Sequence, residues 1–151
     1  MTTVIVGVDG SDDAHRALRF AVEEAEFRAA RLRVISAWEL PVGNWGEFLP
    51  AEESLDGPRR RAEEVVAEAA AIVERLGPNV ECECLAVEGE AGDALLEHCS
   101  DASLVVIGRH GHRIADKLGP VGDLLLGSVS RHVVRGAGCP VLIVPHASSP
   151  A

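Results

Sequence analysis

Five short apolar runs, separated by stretches with helical spacing, constrain this chain more than anything else in it. They are residues 3–9 (TVIVGVD), 32–38 (LRVISAW), 80–87 (VECECLAV), 103–108 (SLVVIG) and 141–144 (VLIV). The first, fourth and fifth are nearly continuous in Val, Ile and Leu, the pattern of strands buried on both faces. A sheet covered on both faces needs helices between its strands. The expected fold is therefore α/β, a five-stranded, mostly parallel sheet with helices on both sides. Residues 80–87 alternate instead, with Val80, Cys82, Cys84 and Ala86 on one face and Glu81 and Glu83 on the other. Charge on one face suits a strand at or near a sheet edge. Prolines bracket the last run, Pro140 before it and Pro145 after, which also suits an edge strand.

The intervening segments carry helix signals. Ser11 is placed to cap a helix with Asp12 and Asp13 in its first turn, and Ala14, Ala17, Leu18, Ala21, Val22 and Ala25 share one face. Residues 59–76 repeat Ala62, Val65, Val66, Ala69, Ile72, Val73 and Leu76 at helical spacing, and Gly77-Pro78 supplies the stop. The run Arg59-Arg60-Arg61 reads as a solvated face offset by Glu63 and Glu64. Two shorter helices are expected at 91–99 and 128–135, the latter with Val129, Val133 and Val134 as core contacts. Residues 39–58 hold three prolines and three glycines with Trp45 and Phe48 among them, and read as a flap whose aromatics either pin it to the domain or cover a ligand.

At 151 residues the chain fits one domain, here 1–147 with a short tail at 148–151. A net charge of −10 and a pI near 5.0 argue against a broad grip on nucleic acid or on a membrane surface. No apolar run approaches a membrane span, and the N-terminus lacks the basic start of a signal peptide, so the expected location is cytoplasmic. Cys82, Cys84, Cys99 and Cys139 follow no zinc spacing, and thiols in that compartment are normally reduced.

The chemistry concentrates between Leu104 and Ser130. An apolar run ends at Gly108, a glycine-containing basic stretch follows, and Gly127-Ser128 opens a helix. Strand, glycine loop and helix N-terminus form a phosphate cradle, because glycines admit close backbone approach and the unpaired amides attract negative charge. If the strands run 3-2-1-4-5, the ends of strands one and four are neighbours where the winding reverses, the place such sheets bind ligands. Asp9-Gly10-Ser11 and the Gly108/Gly111 pair then line one crevice. Over residues 109–117, Arg109, Arg113 and Lys117 stand against a single acid, Asp116, giving that part of the loop a local positive bias; they hold a triphosphate or are simply solvated. His110 and His112 lack a third metal-type partner at a clear spacing, so no metal-ligating residue is assigned.

The segments VIVGVDGSDDAHRAL, LVVIGRHG and LLLGSVSRHVVRGAGCPVLIVP resemble the universal stress protein family over nearly the whole chain, the terminal block most specifically. The resemblance implies the 3-2-1-4-5 order of a Rossmann-like, adenine nucleotide alpha hydrolase-like sheet, and a homodimer through Val141–Val144. It also implies a division between members that bind ATP and members that lack the glycine loop. The ATP-binding pattern is GxxG followed about nine residues later by Gly-Ser or Gly-Thr. Gly108 and Gly111 match its first half, Gly127 and Ser128 its second. On that match Gly111, Gly127 and Ser128 surround the phosphates, Asp9 lies near the ribose with Val8 beside it, and Ala37 offers backbone hydrogen bonds to adenine. Ile107 and Val129 line the site or belong to ordinary core. Mg²⁺ is the metal such a site would admit, carried in with the phosphates. The departure is in length: 15 residues separate Gly111 from Gly127, about six more than the pattern.

No Lys follows the glycines and no nucleophile–base set is evident, so the expected behaviour is ATP binding with slow or no turnover in a stress-response or regulatory module. The alternative is a nucleotide-free dimeric interaction module whose glycine loop the extra residues have disabled. An adenylating or pyrophosphatase-type enzyme would need a glycine-rich loop after the first strand, where VDGSDD has one glycine.

Overall fold

A computed structural model describes residues 1–40, 56–109 and 126–145. Trp45 and Phe48 lie outside the described residues, as does the stretch from His110 through the positions of Arg113, Asp116 and Lys117.

Among the described residues nine elements alternate: β1 (Thr3–Gly7), α1 (Asp12–Arg28), β2 (Arg31–Trp38), α2 (Gly57–Leu76), β3 (Cys82–Glu88), α3 (Ala91–Glu97), β4 (Ala102–Gly108), α4 (Ser128–Gly136) and β5 (Val141–Val144). The strands form one sheet in the order β3-β2-β1-β4-β5, and all four pairings are parallel rather than mostly so. The alternation of strand and helix explains this, since each helical crossover returns the chain in the same direction.

The pleat divides the core in two. Val4, Val6, Leu32, Val34, Leu104 and Val106 face α1 and α2, where Leu18, Val22, Val66 and Val73 meet them. Ile5, Ile35, Val105 and Ile107 face the other way, against Leu95 of α3 and Val133 of α4. A strand buried on both faces requires both clusters, and the continuous Val/Ile runs supply them. The alternating strand β3 sits at the edge as its glutamates suggest, with Cys82, Cys84 and Ala86 packed toward the first cluster and Leu85 and Val87 toward the second.

Several boundaries differ for local reasons. β1 ends at Gly7 instead of Asp9, because Asp9 turns back on Ser11 and Gly10 takes a φ of 83°, outside the range of a strand. β3 starts at Cys82, since the Val80 amide is engaged by Gly77 in a turn at 2.9 Å. α2 begins earlier, at Gly57, with Pro58 in its first turn, where a missing N–H costs nothing. α3 stops at Glu97, with His98 at its C-cap. Of the three valines expected in the core from α4, only Val133 is fully buried. Val129 is half-buried and Val134 is 48% exposed, so Val134 is not the core contact its spacing suggests. The nine-residue helix touches the sheet along a stripe too narrow to take in Val134.

On the α3/α4 side, Arg33 ties three segments together. Its Nε donates to Glu83 at 2.8 Å, and its Nη1 donates both to the His98 carbonyl and to Asp101, each at 2.9 Å. The hydrogen bond to Arg33 holds the Asp101 carboxyl below the usual carboxylate range. A depressed acid stabilises the fold above its unfolded pKa, about 3.9, and that contribution is lost as pH falls through the folded value. Asp101 is half-exposed, so the effect is expected to stay under about 1 kcal/mol. Asp101→Asn is therefore expected to lower the melting temperature slightly at neutral pH, with the difference from the unmodified protein closing below about pH 4. Melting curves across pH check this; a difference independent of pH would remove the ion pair from the account.

Candidate functional site

The crevice forms where β1 and β4, side by side, end beneath the N-termini of α1 and α4. Val4, Ile5 and Val6 pair with Leu104, Val105 and Val106, so the carboxyl ends of these strands emerge together. On the first strand's side, the Val8 amide donates to the Ile35 carbonyl at 2.9 Å, extending the ladder one step past β1. Val8 is buried and Asp9 exposed. Asp9 Oδ1 accepts from both the Ser11 amide, at 2.9 Å, and the Ser11 hydroxyl, at 2.5 Å. The same hydroxyl oxygen accepts from the Ala14 amide at 3.2 Å, which is the expected cap of α1. Asp9 is thus held in a fixed turn at the crevice mouth. Ala37 lies on β2 two residues beyond Ile35, the partner of Gly7, and its side chain packs on the second core cluster.

On the second strand's side, Gly108 closes β4. A Cβ there would come within 3.0 Å of the backbone carbon, backbone oxygen and Cβ of Asp13 in α1. Its glycine is required by the approach of α1, a constraint the motif alone does not reveal. Ile107 is 3% exposed and wholly part of the second core cluster, and Val129 is half-buried against the same cluster. Both therefore have a packing role. Gly111 lies outside the described residues.

Gly127 is the N-cap of α4, with Ser128 exposed as the first helical residue. A glycine cap has no side chain to bond the first-turn amides, so that helix end is available to an anion. The Gly127 amide and the Ser130 hydroxyl pin it to the end of β4 and to Arg109 just beyond. The Gly127 amide donates to the Arg109 carbonyl at 3.0 Å, while the Ser130 hydroxyl lies 3.0 Å from the Gly108 carbonyl and 3.2 Å from that of Arg109. Arg109 is itself anchored, its amide donating to Val144 of β5 at 3.1 Å. Both ends of the segment between Arg109 and Gly127 are consequently fixed at its base. By loop-closure entropy, going from about 9 to about 15 connecting residues costs only about 0.5 kcal/mol, less than these bonds supply.

Sequence reasoning did not single out Ser130 or Asp13. Ser130 is 3% exposed and Asp13 5%, and a second serine two positions after Gly127-Ser128 is the one sequence signal that could have pointed to the first. Ser130→Ala removes the hydroxyl shared between the part-buried Gly108 and Arg109 carbonyls, of which Arg109 keeps the Gly127 amide, and is expected to cost about 1–2 kcal/mol. In a chain of this size that is a fall of roughly 3–6 °C in melting temperature, measured by calorimetry. An unchanged transition would show that the closure does not depend on Ser130.

The remaining expectations about metals and charge divide as follows. Among the described residues, Glu90, Asp93 and His132 bring ligand-type atoms within 4.8 Å of one another, away from the glycines on the α3/α4 surface. Asp93 and His132 are exposed and pair at 2.8 Å, and both Glu90 oxygens cap α3. Arg59 pairs with Glu63 at 3.0 Å on an exposed face, in keeping with a solvated run. No described helix is long and apolar enough to cross a membrane.

These features define a doubly wound α/β domain with a crevice at its topological switch point, fixed by a turn at one strand end and a glycine-capped helix at the other. The universal stress protein family model matches residues 1–145, and the chain belongs to that family. A universal stress protein of Thermus aquaticus, encoded 3′ of a QAH/OAS sulfhydrylase, is 40% identical over 144 residues, covering 94% of this chain and 97% of the relative. The chain spans about half the length of the Mycobacterium tuberculosis relatives it also matches, 48% in one case. Among solved structures, a universal stress protein of Archaeoglobus fulgidus in complex with dAMP is 30% identical with a TM-score of 0.66, covering 95% of this chain and 97% of that one. A universal stress protein in complex with cAMP is 29% identical with a TM-score of 0.68, covering 97% and 98%.

Proposed function

We propose that this chain binds an adenine nucleotide, ATP foremost, in the crevice between the ends of β1 and β4, and works as a nucleotide-dependent regulatory module with slow or no hydrolysis. The observation that carries the reading is the pinned, glycine-capped end of α4 beside Gly108. Relatives of the same fold in complex with dAMP and cAMP support an adenine nucleotide as the ligand class. Asp9 meets the ribose with Val8 beside it, backbone groups at Ala37 meet the adenine, and Gly111, Gly127 and Ser128 surround the phosphates. Ile107 and Val129 back the site from the core. Mg²⁺ enters only with the phosphates. Slow turnover follows from Asp9, whose Oδ1 is committed to the turn at Ser11.

The module is a cytoplasmic homodimer in this reading. β5 ends the sheet with Val141, Leu142 and Ile143 only half-buried, and an apolar edge of that kind needs a cover. A single domain over 1–147 with a tail at 148–151 completes the proposal.

Calorimetric titration of the purified protein with ATP, ADP, AMP and cAMP tests the ligand. Saturable binding with ATP the tightest supports the reading, and no heat from any of the four favours the nucleotide-free interaction module. ATP turnover at ordinary enzyme rates, abolished in Asp9→Asn, would defeat the non-hydrolytic part.

A further inference from the structure

The Cys-x-Cys of β3 plays no part in the nucleotide crevice, yet its two sulfurs stand 3.6 Å apart. We propose that Cys82 and Cys84 are an oxidisable dithiol on the open edge of the sheet, closed reversibly to an intrachain disulfide by a hydroperoxide. The inference is independent of the nucleotide reading.

Three features of the fold carry it. Residues i and i+2 of a strand share a face, so the pair is held side by side by the pleat itself. Both thiols are free and half-buried, so each keeps part of its surface open to solvent. β3 is the edge strand, so among the described residues only β2 holds it in a ladder. The last point decides feasibility. A two-residue step along a strand spans about 6.6 Å between Cα atoms, near the long end of the range of about 4.4–6.8 Å found across disulfides. The bond therefore needs a slight pucker, which an edge strand accommodates better than a central one. A disulfide made under strain is also easily reduced, the property of a reversible site.

The pair is chemically asymmetric. The hydrogen bond between the two sulfurs, in which either can donate, lowers the pKa of Cys84 against burial and the nearby Glu83, and the same bond, with burial, raises that of Cys82. Cys84 is thus the nucleophile and Cys82 the resolving thiol. The other two cysteines are less apt: the Cys99 thiol donates to the Leu96 carbonyl at 3.1 Å, and burial raises Cys139. With hydrogen peroxide, the Cys84 thiolate forms an S–O bond as the O–O bond breaks, and the departing hydroxide takes up a proton. Cys82 sulfur then attacks Cys84 sulfur. The S–S bond forms, the S–O bond breaks, and hydroxide leaves with the Cys82 proton as water. Two thiols lose two electrons and one peroxide becomes two waters.

The test uses the full, reduced chain treated with hydrogen peroxide, followed by peptide mass mapping. The peptide carrying both residues is expected to lose two hydrogens and regain them with dithiothreitol. Cys82→Ser is expected to stop at a sulfenic acid on Cys84, trapped by dimedone, with Cys84 reacting about tenfold faster than Cys139. The double variant Cys99→Ser/Cys139→Ser, with the pair intact, is expected to form the disulfide normally. Oxidation first at Cys99 or Cys139, trapping at Cys82 in Cys84→Ser but not at Cys84 in Cys82→Ser, or over-oxidation without a disulfide would each overturn the proposal.

Discussion

Gly108→Val is expected to destabilise the protein by about 3 kcal/mol before any ligand is added. The new Cβ would sit 3.0 Å from two backbone atoms of Asp13, and a backbone cannot swing aside as the end of a long side chain can. Relief requires the first turn of α1 to lift from the end of β4. That turn includes the buried Asp13 and Ala14 and adjoins Ser11, the cap whose hydroxyl also bonds Asp9. The damage should spread into both sides of the crevice. Urea unfolding of the nucleotide-free variant measures it as a lowered midpoint at unchanged slope. A normal midpoint would mean that α1 yields easily and that Gly108 matters only to a ligand.

Gly127→Val should separate binding from folding. Gly127 has φ −63° and ψ 164°, ordinary extended backbone open to any residue, so valine introduces no backbone strain. Its amide can still donate to the Arg109 carbonyl. The isopropyl group, however, would stand at the mouth of the helix, where the proposed phosphates meet the first-turn amides. Adenine-nucleotide affinity is expected to fall about 100-fold, or about 2.8 kcal/mol, with a smaller change in unfolding midpoint than Gly108→Val shows. Calorimetry of both variants decides it. Undiminished affinity in Gly127→Val would move the phosphates away from α4.

The two glycines show how far the sequence could be read. Both belong to one motif and look equivalent in it. Gly108 is required by Asp13, a residue 95 positions earlier whose approach no local pattern predicts, whereas Gly127 caps α4 in an extended conformation open to any residue. Val134 has the same lesson on a smaller scale. Its spacing matched Val133, but the width of α4's contact with the sheet left it 48% exposed. Ser130 was overlooked because a serine inside a helix usually faces solvent or its own backbone, whereas this one reaches across to β4.

What the sequence determined by itself is the sheet and its helices. Continuous Val/Ile runs demand cover on both faces, the alternating run of β3 demands an edge, and Ser11 caps the first helix, all through forces between near neighbours or the burial of one segment's own surface. What only the tertiary structure decided is how the strand ends become a site. The base of the segment between Gly108 and Gly127 is closed by bonds between Gly108, Arg109, Gly127 and Ser130, which hold the helix end beside β4. Closure depends on which groups meet in space, and chain length enters only through a logarithm.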